Sequence, residues 1–193
     1  MTNQNPQVAE RVAELVDRLA RVTRELQYVD GLNPAQWEAL RYLARANRYS
    51  RSPGALADFL GATKGTASQT LIALESKGHI TRTRSTDDRR SVHLELTEQG
   101  KDILRRDPIL AIEQAVNGLG ADTGAELVRG LSRLLHDLQK RNGIKEFGVC
   151  ADCTLYCVAG ETPPMEGDQC GKTGERIGEL EKSLICVNFR AAE

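Results

Sequence analysis

No run of about 18 apolar residues occurs in the 193-residue chain, so no helix is expected to span a bilayer. The polar opening, Met1 to Pro6, lacks the apolar stretch of a secretory signal, and a cytoplasmic protein is expected. There is no Gly-rich phosphate loop, no set of paired catalytic carboxylates and no nucleophile elbow, so no enzyme is expected. Internal repeats are absent. No cysteine precedes Cys150, and all five fall between Cys150 and Cys186. Without an export signal, such a cluster points to metal or redox chemistry rather than to a disulfide framework.

What is present suits a soluble globular protein, with 40% hydrophobic and 27% charged residues and enough length for one core plus a small appendage. A net charge of −1 conceals an asymmetry. From Arg41 to Arg90 there are ten Lys/Arg against four Asp/Glu, whereas from Gly143 to Glu193 there are five against nine. The basic middle suits phosphate contact and the acidic tail does not, although solvated faces would produce the same counts.

Val8, Val12, Leu15, Leu19, Val22, Leu26 and Val29 form a helical stripe of heptad character that stops near Asp30-Gly31. Asn33-Pro34 reads as an N-cap followed by Pro at the first helical position, with Trp37, Leu40 and Leu43 inward. Ser52-Pro53 repeats that signal for a short helix bearing Leu56, Phe59 and Leu60, and Gly61 stops it. Thr63 caps a helix running to Lys77, with Gly78 beyond its end and Leu71, Ile72 and Leu74 expected inside. Ile80 to Arg84 and Ser91 to Leu96 read as strands around a polar tip, Ser85 to Arg90. Thr97 opens another helix, Pro108 marks a kink or restart, and Leu127, Leu131, Leu134, Leu135 and Leu138 mark a last helix that Gly143 ends. The order, mainly α with a small β-hairpin, is that of a winged helix-turn-helix, whose third helix can enter the major groove.

Asp88-Arg89-Arg90 followed by the strand Ser91 to Leu96 and by Leu96-Thr97-Glu98-Gln99-Gly100 resembles the wing signature of the MarR family of transcription regulators. The stretch from Thr63 to Ile80 resembles that family's recognition helix and exit turn, and the likeness extends over about residues 8 to 142. It implies a homodimer joined by its terminal helices, double-stranded operator DNA as partner, and no membrane. Whether a small-molecule effector also binds is left open. The terminal stripes are expected to serve that interface and an intrachain core, each doing some of both.

Residue roles follow from side-chain chemistry. Thr66, Ser68, Gln69 and Thr70 have short or amide side chains able to meet base edges, and Lys64 sits where a phosphate would lie. In the wing, Asp88 is expected to pair with Arg90, leaving Arg89 and Arg84 for DNA. His79, His93 and His136 are read as structural or exposed. Solvated surface is the bland reading of each polar residue.

Residues 1–142 are thus assigned to DNA binding and dimerisation, and residues 143–193 to a metal-centre extension. The spacing Cys150-x2-Cys153-x16-Cys170-x15-Cys186 leaves Cys157 over and can wrap four thiolates around one centre. Zinc takes four thiolates, usually from two paired knuckles, and only one pair is present. A [4Fe–4S] cluster accepts single, widely spaced ligands. The pattern resembles that of high-potential iron–sulfur proteins and of small cluster-bearing subunits of some glycyl-radical enzymes, with Phe147, Tyr156 and Phe189 the aromatics in reach. That resemblance implies a cluster on Cys150, Cys153, Cys170 and Cys186. Zinc, a metal-free thiol switch, a zinc-stapled regulator answering a small ligand, and an electron-transfer or accessory protein stay open as alternatives.

Overall fold

The computed structural model describes residues 6–84, 92–158 and 167–191. Helix α1 (Pro6–Leu26) leads into α2 (Pro34–Arg45), α3 (Pro53–Phe59) and α4 (Lys64–Ser76). An antiparallel hairpin of β1 (Ile80–Arg84) and β2 (Val92–Leu96) follows, with Ile80 opposite Leu96 and Arg84 opposite Val92. Then come α5 (Glu98–Ile103), α6 (Leu110–Asn117) and α7 (Ala121–Asn142), and a second, two-residue ladder of β3 (Tyr156–Cys157) and β4 (Gln169–Cys170). Among the described residues no helix is long and apolar enough to cross a membrane.

The helix starts are set by local chemistry. Asn33 forms a reciprocal capping box with Gln36, Ser52 accepts from the Ala55 N–H, Thr63 from that of Thr66, and Thr97 from that of Gly100. The chain leaves α4 through Gly78 at φ +75° and α7 through Gly143 at φ +61°, both in the left-handed region that glycine adopts freely. Pro108 proves to be a restart, since a turn of 3₁₀ helix at Leu104–Arg106 ends the preceding helical run and α6 begins at Leu110. At Gly100 a Cβ would lie 2.0 Å from the His79 carbonyl oxygen, so only glycine lets α5 pack on the turn between α4 and β1.

The core gathers Trp37, Leu40, Leu43, Leu56, Leu71, Leu74, Ile80 and Leu94, all at most 1% exposed. Their burial is the main stabilising term, each large side chain contributing roughly 1.5–3 kcal/mol. Ile185, from the cysteine-bearing tail, belongs to the same cluster, and Phe147 and Val187 pack against it. Phe147 meets Phe59 and Tyr42 edge-on, with ring centroids 5.3 and 6.2 Å apart. The tail is therefore built onto the lobe.

Two expectations are corrected. Ile72 is 44% exposed, not inside, because the buried row of α4 is Ala67, Thr70, Leu71 and Leu74, and Ile72 falls off that stripe. The terminal stripes contribute nothing to the intrachain core, as neither α1 nor α7 has a buried residue and Leu19, Val128 and Leu135 are 57–65% exposed.

Candidate nucleic-acid interface and cysteine centre

Helix α4 turns two kinds of side chain in opposite directions. Leu71 and Leu74 go into the core, and Lys64, Thr66 and Gln69 stand exposed near its N-terminal end, with Ser68 half-buried beside them. Thr66 also shares a hydroxyl contact of 2.9 Å with the capping Thr63, which fixes its rotamer. Thr70 does not join this face. It is buried, and its hydroxyl donates to the Thr66 carbonyl at 3.2 Å, so it braces the helix instead of meeting a base. Arg84 is exposed at the outer end of β1. Arg82, one turn of strand earlier, donates to Glu75 at 2.7 Å and ties the hairpin to the end of α4. Asp88, Arg89 and Arg90 lie outside the described residues.

One short segment, residues 45–51, leads from α2 into α3. Ser50, fully buried, donates to the Asn47 side-chain carbonyl at 2.7 Å, and its own carbonyl accepts from the Tyr42 hydroxyl at 2.7 Å. The Arg51 carbonyl accepts from the Leu94 N–H of β2 at 2.9 Å, so the hairpin hangs on this segment as well.

The cysteine region lies on the other side of the same segment. Cys150, Cys170 and Cys186 are 7–8% exposed and Cys153 is half-buried. All four line one small void with Leu155, Tyr156, Ile177 and Asn188, and Cys157 is not among its walls. Local turns bring them there: the Cys153 N–H donates to the Cys150 carbonyl at 3.0 Å, β3 sets Tyr156 opposite Cys170, and the Cys186 N–H donates to the Gly148 carbonyl at 2.9 Å. Phe189 closes the base against Gly148, where a Cβ would come within 2.5 Å of its ring. Burial, then the neighbouring Cys186, Cys153 and Cys170, push the Cys150 thiol up to about 11. Protonated, it is a poor ligand, so a cation must draw off its proton to be held there.

The donors fit a multi-thiolate centre. Among the described residues no three His, Cys, Asp or Glu side chains are gathered so as to hold a single metal ion. Four thiols instead bound a common space, and the Asn188 N–H donates to the Cys186 sulfur at 3.3 Å, the kind of contact that tunes an iron–sulfur cluster. A single zinc ion would require the four to draw closer, to Zn–S distances near 2.3 Å.

A cleft of about 550 Å³ opens between α2 and the start of α6, lined among others by Glu38, Arg41, Tyr42, Phe59, Leu110 and Ile185. Ile185 thus stands beside Cys186 and in the wall of the cleft.

Residues 30–91 match the model of the MarR family. The fold is a winged helix of the kind seen in solved MarR-type regulators. The chain is similar to the transcriptional repressor MprA of Escherichia coli K12, 37% identical over 75 residues, which are 39% of this chain and 43% of MprA. It thus spans less than half the length of the curated relatives it matches. Among solved structures it resembles a MarR transcriptional regulator from Methanosarcina mazei, with a TM-score of 0.57, 23% identity, and coverage of 68% of this chain and 98% of that one. It also resembles Streptococcus pneumoniae FabT in complex with DNA, with a TM-score of 0.55, 23% identity, and coverage of 71% and 99%. At such identities these two support the fold alone. The family match ends at residue 91, well short of Cys150.

The contacts between the tail and residues 45–51 were not foreseen from the sequence. Two are backbone hydrogen bonds of Ile185 with Arg45 and Asn47, which any residue types can make, the others use the side chains of Arg48, Tyr49 and Ser50, and all join segments well over a hundred positions apart.

Proposed function

We propose that the chain is a homodimeric, sequence-specific DNA-binding transcription regulator of the MarR type, whose DNA affinity is tuned by a [4Fe–4S] cluster on Cys150, Cys153, Cys170 and Cys186. The observation that carries it is the outward polar face of α4, with Lys64, Thr66 and Gln69 exposed on a MarR lobe. Those side chains suit base edges and phosphate in a major groove, and neither an enzyme nor an electron carrier has a use for them. MprA is named a transcriptional repressor, and FabT was crystallised with DNA, which supports the same reading.

The homodimer is supported by α1 and α7. Two helices of 21 and 22 residues that bury nothing in their own chain call for a partner, and a second copy presents matching stripes. The cluster is supported by one small void that four thiols line, together with their spacing in sequence. When bound, it would supply one-electron redox chemistry and a bond network sensitive to oxygen.

The test is purification without oxygen, with iron, sulfide and zinc analysis, followed by affinity for a duplex selected by the protein from a random pool. Brown protein with iron and sulfide, and different DNA affinities for the loaded and the oxidised, cluster-free forms, is the expected outcome. Zinc without iron rejects the cluster. Equal affinities reduce the centre to a structural staple.

A further inference from the structure

The strand that carries the ligand Cys186 is wired by hydrogen bonds into the segment that sets the DNA-binding elements. On one side of Cys186, the Ile185 N–H donates to the Arg45 carbonyl at 2.6 Å, and the Ile185 carbonyl accepts from the Asn47 N–H at 2.9 Å. On the other, the Val187 N–H donates to the Ser50 hydroxyl at 2.8 Å. The bonds continue without a gap, because the next residue, Arg51, offers its carbonyl to Leu94 of β2, and Ser52 caps α3. Residues 45–51 therefore have the cysteine centre on one side and both α3 and the hairpin on the other.

Arg48 closes this contact from outside. One guanidinium nitrogen donates to Glu181 at 2.9 Å, and the other to Glu175 at 2.9 Å, to the Arg176 carbonyl at 2.8 Å and to the Tyr49 hydroxyl at 2.7 Å. Tyr49 itself donates to Glu175 at 2.6 Å. Glu175 and Glu181 flank Ile177, which lines the thiol void, and the Glu175 carbonyl accepts from the Cys170 N–H at 3.0 Å. The fork thus grips two points of the loop that embraces the centre, a geometry that suits arginine and not lysine. Arg48 and Glu175 are exposed and Glu181 is half-buried, so solvent screens these pairs and they add little to global stability. So many contacts on one exposed arginine make better sense as a means of fixing the position of the loop.

We propose that residues 45–51 are the coupling element through which the cysteine centre sets α3 and the hairpin on DNA, with Arg48 as its positioning residue. The inference rests on the regulator reading above and names its route. Ordering of the centre holds Ile185 and Val187 against the segment. Loss of the centre frees the Cys186 strand, and with it the anchor that Arg51 and Ser52 give to β2 and α3. The route does not pass through the spacing of the two lobes of a dimer.

The experiment compares wild type, Arg48→Ala and Ser50→Ala, each cluster-loaded and cluster-free. It measures affinity for the selected duplex, the visible spectrum, and hydrogen exchange at the Leu94 amide. Ser50→Ala removes the acceptor of Val187 without adding bulk, and serves if Arg48→Ala alone proves too mild. Coupled sites typically change each other's affinity about 5- to 150-fold. In both variants the ratio of loaded to cluster-free affinity should shrink toward one, with an unchanged spectrum, and Leu94 should exchange in the loaded variants as it does in cluster-free wild type. Linkage gives a second readout: DNA should slow cluster loss in wild type and not in Arg48→Ala. A wild-type ratio preserved in both variants overturns this route and leaves the regulator standing. A wild-type ratio of one overturns the regulation itself.

Discussion

Between Leu32 and Ile103 the chain is held together by apolar burial; between Gly143 and Arg190 it is held by turns, short ladders and a void faced with sulfur. The first region has large aliphatic and aromatic side chains on every element and hydrogen-bonded caps on α2 to α5. In the second, the buried side chains among the described residues are three cysteines and Ile185, and Ile185 is buried in the first region's core. A segment with so little buried apolar surface of its own leans on its neighbour for order, and under the proposed function on the centre its thiols would hold. Such a segment responds to chemistry, and the lobe beneath it does not.

The difference is broken most severely from the core side. Leu40→Ala, at a fully buried position, should cost about 2–5 kcal/mol and lower the urea midpoint of the whole protein. Cys153→Ser should abolish iron and sulfide, speed hydrogen exchange over residues 143–191, and leave the exchange of α2 and α4 nearly as it was. Cys157→Ser, off the void, should do neither. Were Cys153→Ser to lower protection in α2 as far as Leu40→Ala does, the two regions would be one cooperative unit.

A comparable loss is expected where a second copy would complete the fold. Leu15→Asp with Leu19→Asp would place unpaired charge in the α1 stripe, at a cost of several kcal/mol to association. Light scattering should then report monomer for the variant and dimer for wild type. A wild-type monomer at micromolar concentration would contradict the assembly.

On the α4 face the contrast lies between adjacent residues. Gln69→Ala should weaken binding by roughly 1–3 kcal/mol, concentrated at one base pair, whereas Thr70→Val should change DNA binding little because Thr70 faces inward. Arg89→Ala should lower affinity for every sequence and reduce the salt slope by about one. Filter binding across a salt titration distinguishes the two patterns. An unchanged slope would remove the hairpin tip from the interface.

Much of the first region could be read directly from the chain because its signals are local. Asn33, Ser52 and Thr63 cap in place, Gly78 takes a positive φ where α4 ends, and Trp37, Leu40 and Leu43 are buried at helical spacing. The error on α4 is also local in origin. Its buried row runs through Ala67 and Thr70; Thr70, being polar, reads as outward and Ile72, being apolar, as inward, and the structure has the two reversed. In the second region the four-cysteine set stood out by spacing alone, and the same four line one void. The docking of Ile185 on Arg45 and Asn47 left no trace in the pattern, since a backbone bridge carries no side-chain signature.

The smallest effect expected is one of pH, at the joint between α4 and the hairpin. His79 is 6% exposed, its Nδ1 has no hydrogen-bond partner among the described residues, and its backbone N–H donates to the Leu74 carbonyl at 3.0 Å. Burial first, and then the charge of Lys77, hold its imidazole below the usual histidine range, against a weaker opposing contact at Gln99. A depressed value in the folded protein means that the unfolded chain takes up the proton first as pH falls. Stability from the neutral, buried ring is therefore complete above the unfolded value, about 6.5, and is lost as pH drops through it toward the lower folded value. Protonation of the thiolate ligands would destabilise the tail over acid pH as well, so the measurement belongs in the Cys153→Ser background, where no centre forms. There the urea midpoint should fall between pH 7.5 and pH 5, and His79→Gln should remove part of that fall by leaving nothing to protonate at this turn. Equal pH slopes with and without His79 would show that the ring is reached by water and that the joint between recognition helix and hairpin opens more readily than its packing implies.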